Sequence, residues 1–554
     1  MRDRQRSPES VERLRHVVTT FRPCSAVMPD ASRPRRRCLG WPRPSGGSGA
    51  PGVGEDRTLG GFSRMAGRVS LNATGHTAKE ARPMIPTQTL KPKSVAREAP
   101  DDVAAKSHSA GRRRKEMFSS MKSGRRIVPL VVATATVALG LVAAPQAWAH
   151  TYLHAATAAI TGDPIKARLD NAVYDWWAQP VSVNDGAYTW VGSIASAGTV
   201  RVAKVNRAAG SYQWATLSAI GDIYHDEHNT PALAFEDTKP YLMAFYTQHG
   251  TDNIMRYRTI NRTTLAVGPL KTLTFSTTIT YAQIIRNGTR LMLLTRAGDS
   301  WRYRTSDDFG TTWSAEKVLI NATGYGQVYS LLKPTPGDGD LNHLAFYGHP
   351  LTSSFRNVVY AQIHLQSGEV TLVNGQLIGN INDPAGPNLR PEQLQPAITP
   401  GTGFKVRLLD VYTIRNRPAI AYAVWNAGAN EAGPATYKVK MYQDNNTWTT
   451  PPWSLAAGAP FGYDPAIHYL GGMAIGRDNS VYTSRETNGT WIFEKWAWSE
   501  TLGTFTLAHT IARDTTQKLA RPYVPARDGV TAVTINRLQT YTSYTNYVSD
   551  ILVY

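Results

Sequence analysis

The chain has 554 residues and a formal net charge of +19, a balance that would ordinarily suggest nucleic acid or an anionic membrane as partner. Residues 1–149 hold 27 of the basic and 11 of the acidic side chains, so the 405 residues that follow carry only about +3 and give no support for nucleic-acid binding. Both cysteines, Cys24 and Cys38, also lie in this leader, which excludes a disulfide framework or a thiolate zinc site from the remainder.

Residues 1–120 are rich in Arg, Pro, Gly and Ser, with runs such as Arg35-Arg36-Arg37, and they show no sustained period of 2 or 3.6. Such a segment cannot bury enough apolar surface to offset its ordering entropy, so a disordered basic leader is expected, with a start codon assigned upstream of the natural one as its simplest origin. Residues 121–149 have the three parts of a secretory signal peptide in order. A basic stretch Lys122-Ser123-Gly124-Arg125-Arg126 precedes an apolar run from Ile127 to Ala144, and Ala147-Trp148-Ala149 supplies a cleavage site. The expectation is a secreted protein with no membrane attachment after cleavage.

From residue 150 onward short alternating or apolar runs recur, among them Tyr188–Val191, Thr199–Ala203, Tyr241–Tyr246, Arg290–Leu294 and Pro418–Val424. Gly, Asn, Asp and Pro clusters separate them, and aromatic and β-branched residues dominate them, so the expectation is an all-β chain. Ser306-Asp307-Asp308-Phe309-Gly310-Thr311-Thr312-Trp313 fits S-x-D-x-G-x-T-W, the Asp-box of BNR repeats. It predicts a hairpin turn in which the Asp308 carboxylate accepts backbone N–H groups, Gly310 supplies a positive φ and Trp313 packs beneath. At roughly 50–60 residues per four-stranded blade, residues 150–554 form about seven blades of a β-propeller.

The densest polar cluster runs from Tyr224 through His225, Asp226, Glu227, His228 and Asn229 to Thr230, and a strand later comes Phe245-Tyr246-Thr247-Gln248-His249. His228 and His249 sit at strand edges 21 residues apart, where one hairpin can make them neighbours. His225 and His228 are three apart, but H-E-x-x-H is absent and the segment reads as a loop, so no catalytic metal is expected. A structural calcium or other divalent ion is compatible with an exported propeller, although no D-x-D-x-D-G loop demands one. No cofactor is required, and a monomer is expected.

The body resembles the BNR-type propellers that include the ulvan lyases and the related rhamnose–glucuronate lyases. The residues that carry the resemblance are H-N-T-P-A at 228–232, Phe-Tyr-x-x-His at 245–249, the Asp-box, Tyr281-Ala282-Gln283, Leu294-Thr295-Arg296, Arg356–Tyr360, Tyr469–Gly472, Arg521-Pro522 and Tyr541–Tyr544. The resemblance implies a polysaccharide lyase with His228, His249, Tyr281 and Arg296 in one central cleft, acting on an anionic, uronic-acid-containing polysaccharide. β-Elimination asks for these side-chain types on its own terms. A cation such as Arg296 offsets the uronate carboxylate, a neutral imidazole takes the C5 proton, and a phenol donates to the departing O4. On this reading His228 is the base, Tyr281 the acid, and His249 joins Arg296 at the carboxylate, with the roles of His228 and Tyr281 open to exchange. Tyr246, Tyr347, His349, Asn357 and Tyr360 lie near strand ends and are the candidate sugar-binding residues. Two rival readings stay open: a sialidase-like glycoside hydrolase, for which the usual F/Y-R-I-P segment is missing, and a noncatalytic carbohydrate-binding propeller.

Overall fold

Alternation of buried and partly exposed side chains along short strands, seen clearly in Ala435–Met441, gives each strand one face to bury against a neighbouring sheet. The structure, a computed structural model, describes residues 160–554 except 336–338, 429–432, 462–468 and 527–531. The expected leader (1–120) and signal peptide (121–149) lie outside the described residues. Among the described residues no helix is long and apolar enough to cross a membrane.

The strands form seven antiparallel sheets, the blades of a propeller, each meandering outward from an innermost strand. In chain order the innermost strands are Ser182–Asp185, Ala232–Ala234, Ile279–Asn287, Val328–Pro334, Phe404–Ile414, Gly472–Ile475 and Lys518–Tyr523, and they number blades one to seven. Five blades have four strands, blade six has five and blade four has six. Every strand run singled out in the sequence falls on a strand.

The ring is closed by the first described residues. Ile160–Gly162 pairs with Thr504–Asp514 at the edge of blade six, and Ala167–Leu169 pairs with Asn546–Val553 as the outermost strand of blade seven. Early and late parts of the chain thus share two sheets, which ties the ring shut. Between this closure and blade one, Trp176 and Trp177 occupy the centre. Trp177 stacks on Tyr329 of blade four at 4.4 Å, and Trp176 lies beneath the guanidinium groups of Arg521 (3.9 Å) and Arg407 (4.3 Å).

The Ser306–Trp313 turn is built as its residues predict. Asp308 accepts the N–H groups of Thr311 (3.0 Å) and Thr312 (2.8 Å), Gly310 has φ +77°, and Trp313 meets Phe245 edge-on at 5.8 Å. The Thr312 N–H foremost, with the Thr312 and Ser306 hydroxyls, holds the Asp308 carboxyl down at about 2. The turn joins the third and fourth strands of blade three, on the outer part of the sheet, which fits a structural role.

Leu169 in the closing strand is fully buried. Leu169→Ala should cost about 3 kcal/mol of stability and lower the urea unfolding midpoint, because the cavity opens in the joint that closes the ring.

Candidate active site

The connection from blade one to blade two carries the polar cluster noted in the sequence. Glu227–Asn229 forms one turn of 3-10 helix, and Asp226 caps it by accepting the His228 N–H at 2.9 Å. The same carboxylate then holds both histidines: Oδ1 lies 2.6 Å from His228 Nδ1 and Oδ2 lies 2.8 Å from His249 Nδ1. His249 follows the second strand of blade two, and its backbone is fixed on both sides. Its N–H donates to Asn229 Oδ1 at 2.7 Å, and its carbonyl accepts the Tyr224 hydroxyl at 2.9 Å. The two imidazole centroids are 4.3 Å apart, as the hairpin reading predicts.

Tyr281 reaches the histidines from the innermost strand of blade three, 5.4 Å from the His228 ring and 6.4 Å from that of His249. It sits in a β-bulge between Thr280 and Gln283 with φ +68°, a conformation that costs a non-glycine residue of order 1 kcal/mol. The Thr295 hydroxyl lies within bonding distance of the carbonyls of Thr280 (3.1 Å) and Tyr281 (2.8 Å), where the ladder is irregular. The bulge turns the phenol toward the centre. Arg296, opposite Thr280 across the hairpin, places its guanidinium carbon 5.0 Å from the Tyr281 ring and 5.5 Å from the Tyr329 ring. It is 7% exposed, and no carboxylate pairs with it among the described residues.

The four residues named for the cleft are therefore brought together. Of the five candidate sugar-binding residues, two belong to its surroundings. His349 stacks against Tyr329 at 5.2 Å, and Tyr347 packs under Tyr329 and Trp177 with its ring fully buried. The other three are placed elsewhere. Tyr246 is buried within blade two with its hydroxyl on the Leu217 carbonyl at 3.4 Å, and Asn357 is half-buried ahead of the third strand of blade four, with no hydrogen bond or ring contact to the four. Tyr360 is inside blade four, its hydroxyl 2.6 Å from His343 Nδ1. Sequence reasoning missed Asp226, Tyr329 and Tyr544, whose ring stands 4.9 Å from His228 and 5.6 Å from His249. Asp226 was legible as a capping residue two positions before His228, but its reach to His249 was not.

The electrostatics make the two histidines unequal. Burial would lower His228, but the Asp226 charge and hydrogen bond outweigh it and raise its pKa. Burial lowers His249, and the neighbouring His228 and Arg296 charges push it further down than Asp226 can restore. Burial alone would raise Asp226, yet the charge and hydrogen bonds of the two imidazoles hold it well below the usual carboxylate range. The site thus favours an imidazolium at 228, a neutral imidazole at 249 and a carboxylate between them. Burial keeps the Tyr281 phenol protonated, far above its ordinary value. His349 is also neutral, pushed down to about 4 by burial and by Arg296 and Arg407, with Nδ1 accepting the Leu351 N–H at 3.1 Å.

Donor atoms of Asp226, His228 and His249 lie within 4.8 Å of one another, close enough to share one divalent cation. Both Nδ1 atoms, however, already face the carboxylate, an arrangement that orients imidazoles for proton transfer and leaves each Nε2 for another partner.

No protein-family model matches the chain, and no curated protein matches it. Solved structures do. An ulvan lyase of polysaccharide lyase family PL25, bound to a -[GlcA(1-4)Rha3S]- oligomer, aligns with TM-score 0.53 and 14% identity over 71% of this chain and 95% of that one. A second structure described as a PL25 ulvan lyase gives TM-score 0.52, again at 14% identity, over 71% of this chain and 95% of that one. The likeness is one of fold.

Two opposite titrations bear on stability. Asp226, lowered on folding, contributes above about pH 4 and loses that contribution as the pH falls through its folded value; His228, raised on folding, contributes fully below about pH 6.5 and loses it as the pH rises through its folded value. Asp226→Asn should therefore lower thermal stability most between these limits, and weaken its decline below about pH 4 and above about pH 6.5. In an NMR titration of the histidine rings it should bring His228 below its ordinary value, since burial then acts with much less opposition.

Proposed function

We propose that this protein is a polysaccharide lyase that cleaves a uronic-acid-containing polymer by β-elimination. The observation that carries the reading is Arg296, a buried guanidinium with no carboxylate partner among the described residues, beside a neutral imidazole and a protonated phenol. A buried cation without a counter-ion is costly, and an anionic ligand offsets that cost. A uronate carboxylate docked on Arg296 has its negative charge neutralised, which acidifies the adjacent C5–H.

His249, neutral with Nδ1 committed to Asp226, has Nε2 free to accept the C5 proton. His228, held cationic by Asp226, adds positive charge beside the developing enolate. These roles exchange the two histidines relative to the reading from sequence, because a single carboxylate cannot keep both imidazoles charged at this separation. Tyr281, whose O–H is kept by burial, donates to the departing O4. Tyr329 and His349 extend the wall on the Arg296 side, where an aromatic face and a neutral ring can meet sugar.

Most glycoside hydrolases use two carboxyl groups flanking the glycosidic bond, sialidases with their tyrosine nucleophile being an exception. Here Asp226 is held by the histidines, Glu227 by Arg521, and Asp175 accepts the Trp177 and Ala178 N–H groups, which favours elimination over two-carboxylate hydrolysis. The fold shared with an ulvan lyase bound to a glucuronate–rhamnose sulfate oligomer supports an ulvan-like or rhamnose–glucuronate polymer as the substrate class. Such a polymer is met outside the cell, and export through residues 121–149 is part of this proposal.

His249→Ala, Tyr281→Phe and Arg296→Ala should each lower kcat/KM for formation of the unsaturated, ultraviolet-absorbing product about 100-fold or more. Full activity in all three would overturn the assignment. In the wild type, kcat/KM should rise with pH along a limb centred below the ordinary imidazole value of about 6.5, because the base must be unprotonated and His249 is shifted down.

A further inference from the structure

Blade four departs from the four-stranded pattern, and its extra strands enclose a second site. Glu369–Thr371 and Pro396–Ile398 both pair with Val358–His364, at opposite ends, and Leu377–Asn380 adds beyond the former. Against them stands the outer hairpin of blade five, where Tyr442 bridges Trp448 across a tight turn. Between the two blades lies a hollow of about 140 Å³. A single water needs about 10–15 Å³ by that measure, so the space suits a ring-sized ligand.

Its walls are aromatic and amide. Tyr360, Tyr442 and Trp448 face it together with Asn374, Gln395 and Asn446, and Leu372 and Pro396 supply apolar surface. Trp448 is half-buried and in edge-to-face contact with both tyrosines, at 5.4 and 5.5 Å. Tyr360 cannot swing away, because its hydroxyl is held by His343. Asn374 uses its oxygen on the Gln376 N–H at 3.1 Å and keeps its NH2 group, and the Gln395 and Asn446 side chains are exposed. No charged residue lines the hollow, in contrast to the side-chain cluster around Arg296.

Aromatic faces for the C–H side of a ring, amides for its hydroxyl groups and the absence of charge select a neutral, amphipathic, polyhydroxylated ligand. We propose that this hollow is a second carbohydrate site, which takes a neutral sugar unit of a polysaccharide and acts independently of the central cleft. Tyr360, a candidate sugar-binding residue from the sequence, belongs here. The inference does not depend on elimination chemistry.

The test is affinity electrophoresis of the full chain in native gels containing dissolved galactomannan, xyloglucan or starch, run with the wild type and with Arg296→Ala, which disables the cleft. Both should be retarded equally by at least one neutral polymer. Trp448→Ala should weaken that retardation about tenfold or more, and Gln395→Ala, at an exposed position, should weaken it severalfold with an unchanged unfolding midpoint. Should Trp448→Ala fail to fold, Gln395→Ala and Trp448→Phe carry the test. No retardation of the wild type by any neutral polymer, retardation unaffected by these substitutions, or retardation lost in Arg296→Ala would overturn the proposal.

Discussion

The candidate site depends on one buried carboxylate. Asp226 has no solvent contact, and its two oxygens cap the 3-10 turn and hold two imidazoles. A carboxylate in such a place must be compensated, and His228 becomes the compensating cation. Once His228 is charged, a second charge 4.3 Å away is opposed, and His249 stays neutral. Two side chains of the same type thus acquire different roles, which is how a site can hold a cation and a base together at one pH.

The residue next to Asp226 anchors the turn to blade seven, which adjoins blade one in the closed ring. Glu227 makes a two-pronged ion pair with Arg521 of blade seven, at 2.6 and 2.7 Å, and accepts the Tyr541 hydroxyl at 2.8 Å. Arg521 also donates to the Tyr174 carbonyl at 2.8 Å and lies over Trp176, so the central tryptophans and the histidine turn share one support. Removing two charges from water is expensive, and such a pair adds little net stability over apolar packing. Its physical consequence is placement: it positions His228 from blade seven, hundreds of residues away in the chain.

Several chemically distinctive features fall where the propeller breaks its own regularity. Tyr281 is aimed by a bulge, Arg521 has φ +60° in another, and the neutral hollow exists because blade four carries two strands more than most of its neighbours. A regular antiparallel blade satisfies its backbone groups in the ladder and points its side chains into the packing between sheets. A bulge releases a residue from that alternation, and a local partner, here the Thr295 hydroxyl on the Tyr281 carbonyl, then satisfies the freed group.

Much of the architecture was legible in the chain. Period-two burial, turn residues at regular intervals and the Ser306–Trp313 turn are local properties, and a blade is assembled from local hairpins, so strands and blade number follow from short stretches of sequence. The pairing of His228 with His249 was legible for the same reason, since a single strand and its turns separate them. What the chain could not reveal was long-range. That Asp226 joins the two rings, that Arg296 lies beneath no carboxylate, that Tyr246 and Tyr360 point away from the cleft and that Arg521 supports Glu227 all depend on how separate blades face one another. Sequence by itself determined the strands, the turns and the inventory of chemical groups. Only tertiary structure decided which groups are buried together, and burial beside a particular charge is what sets a proton's place.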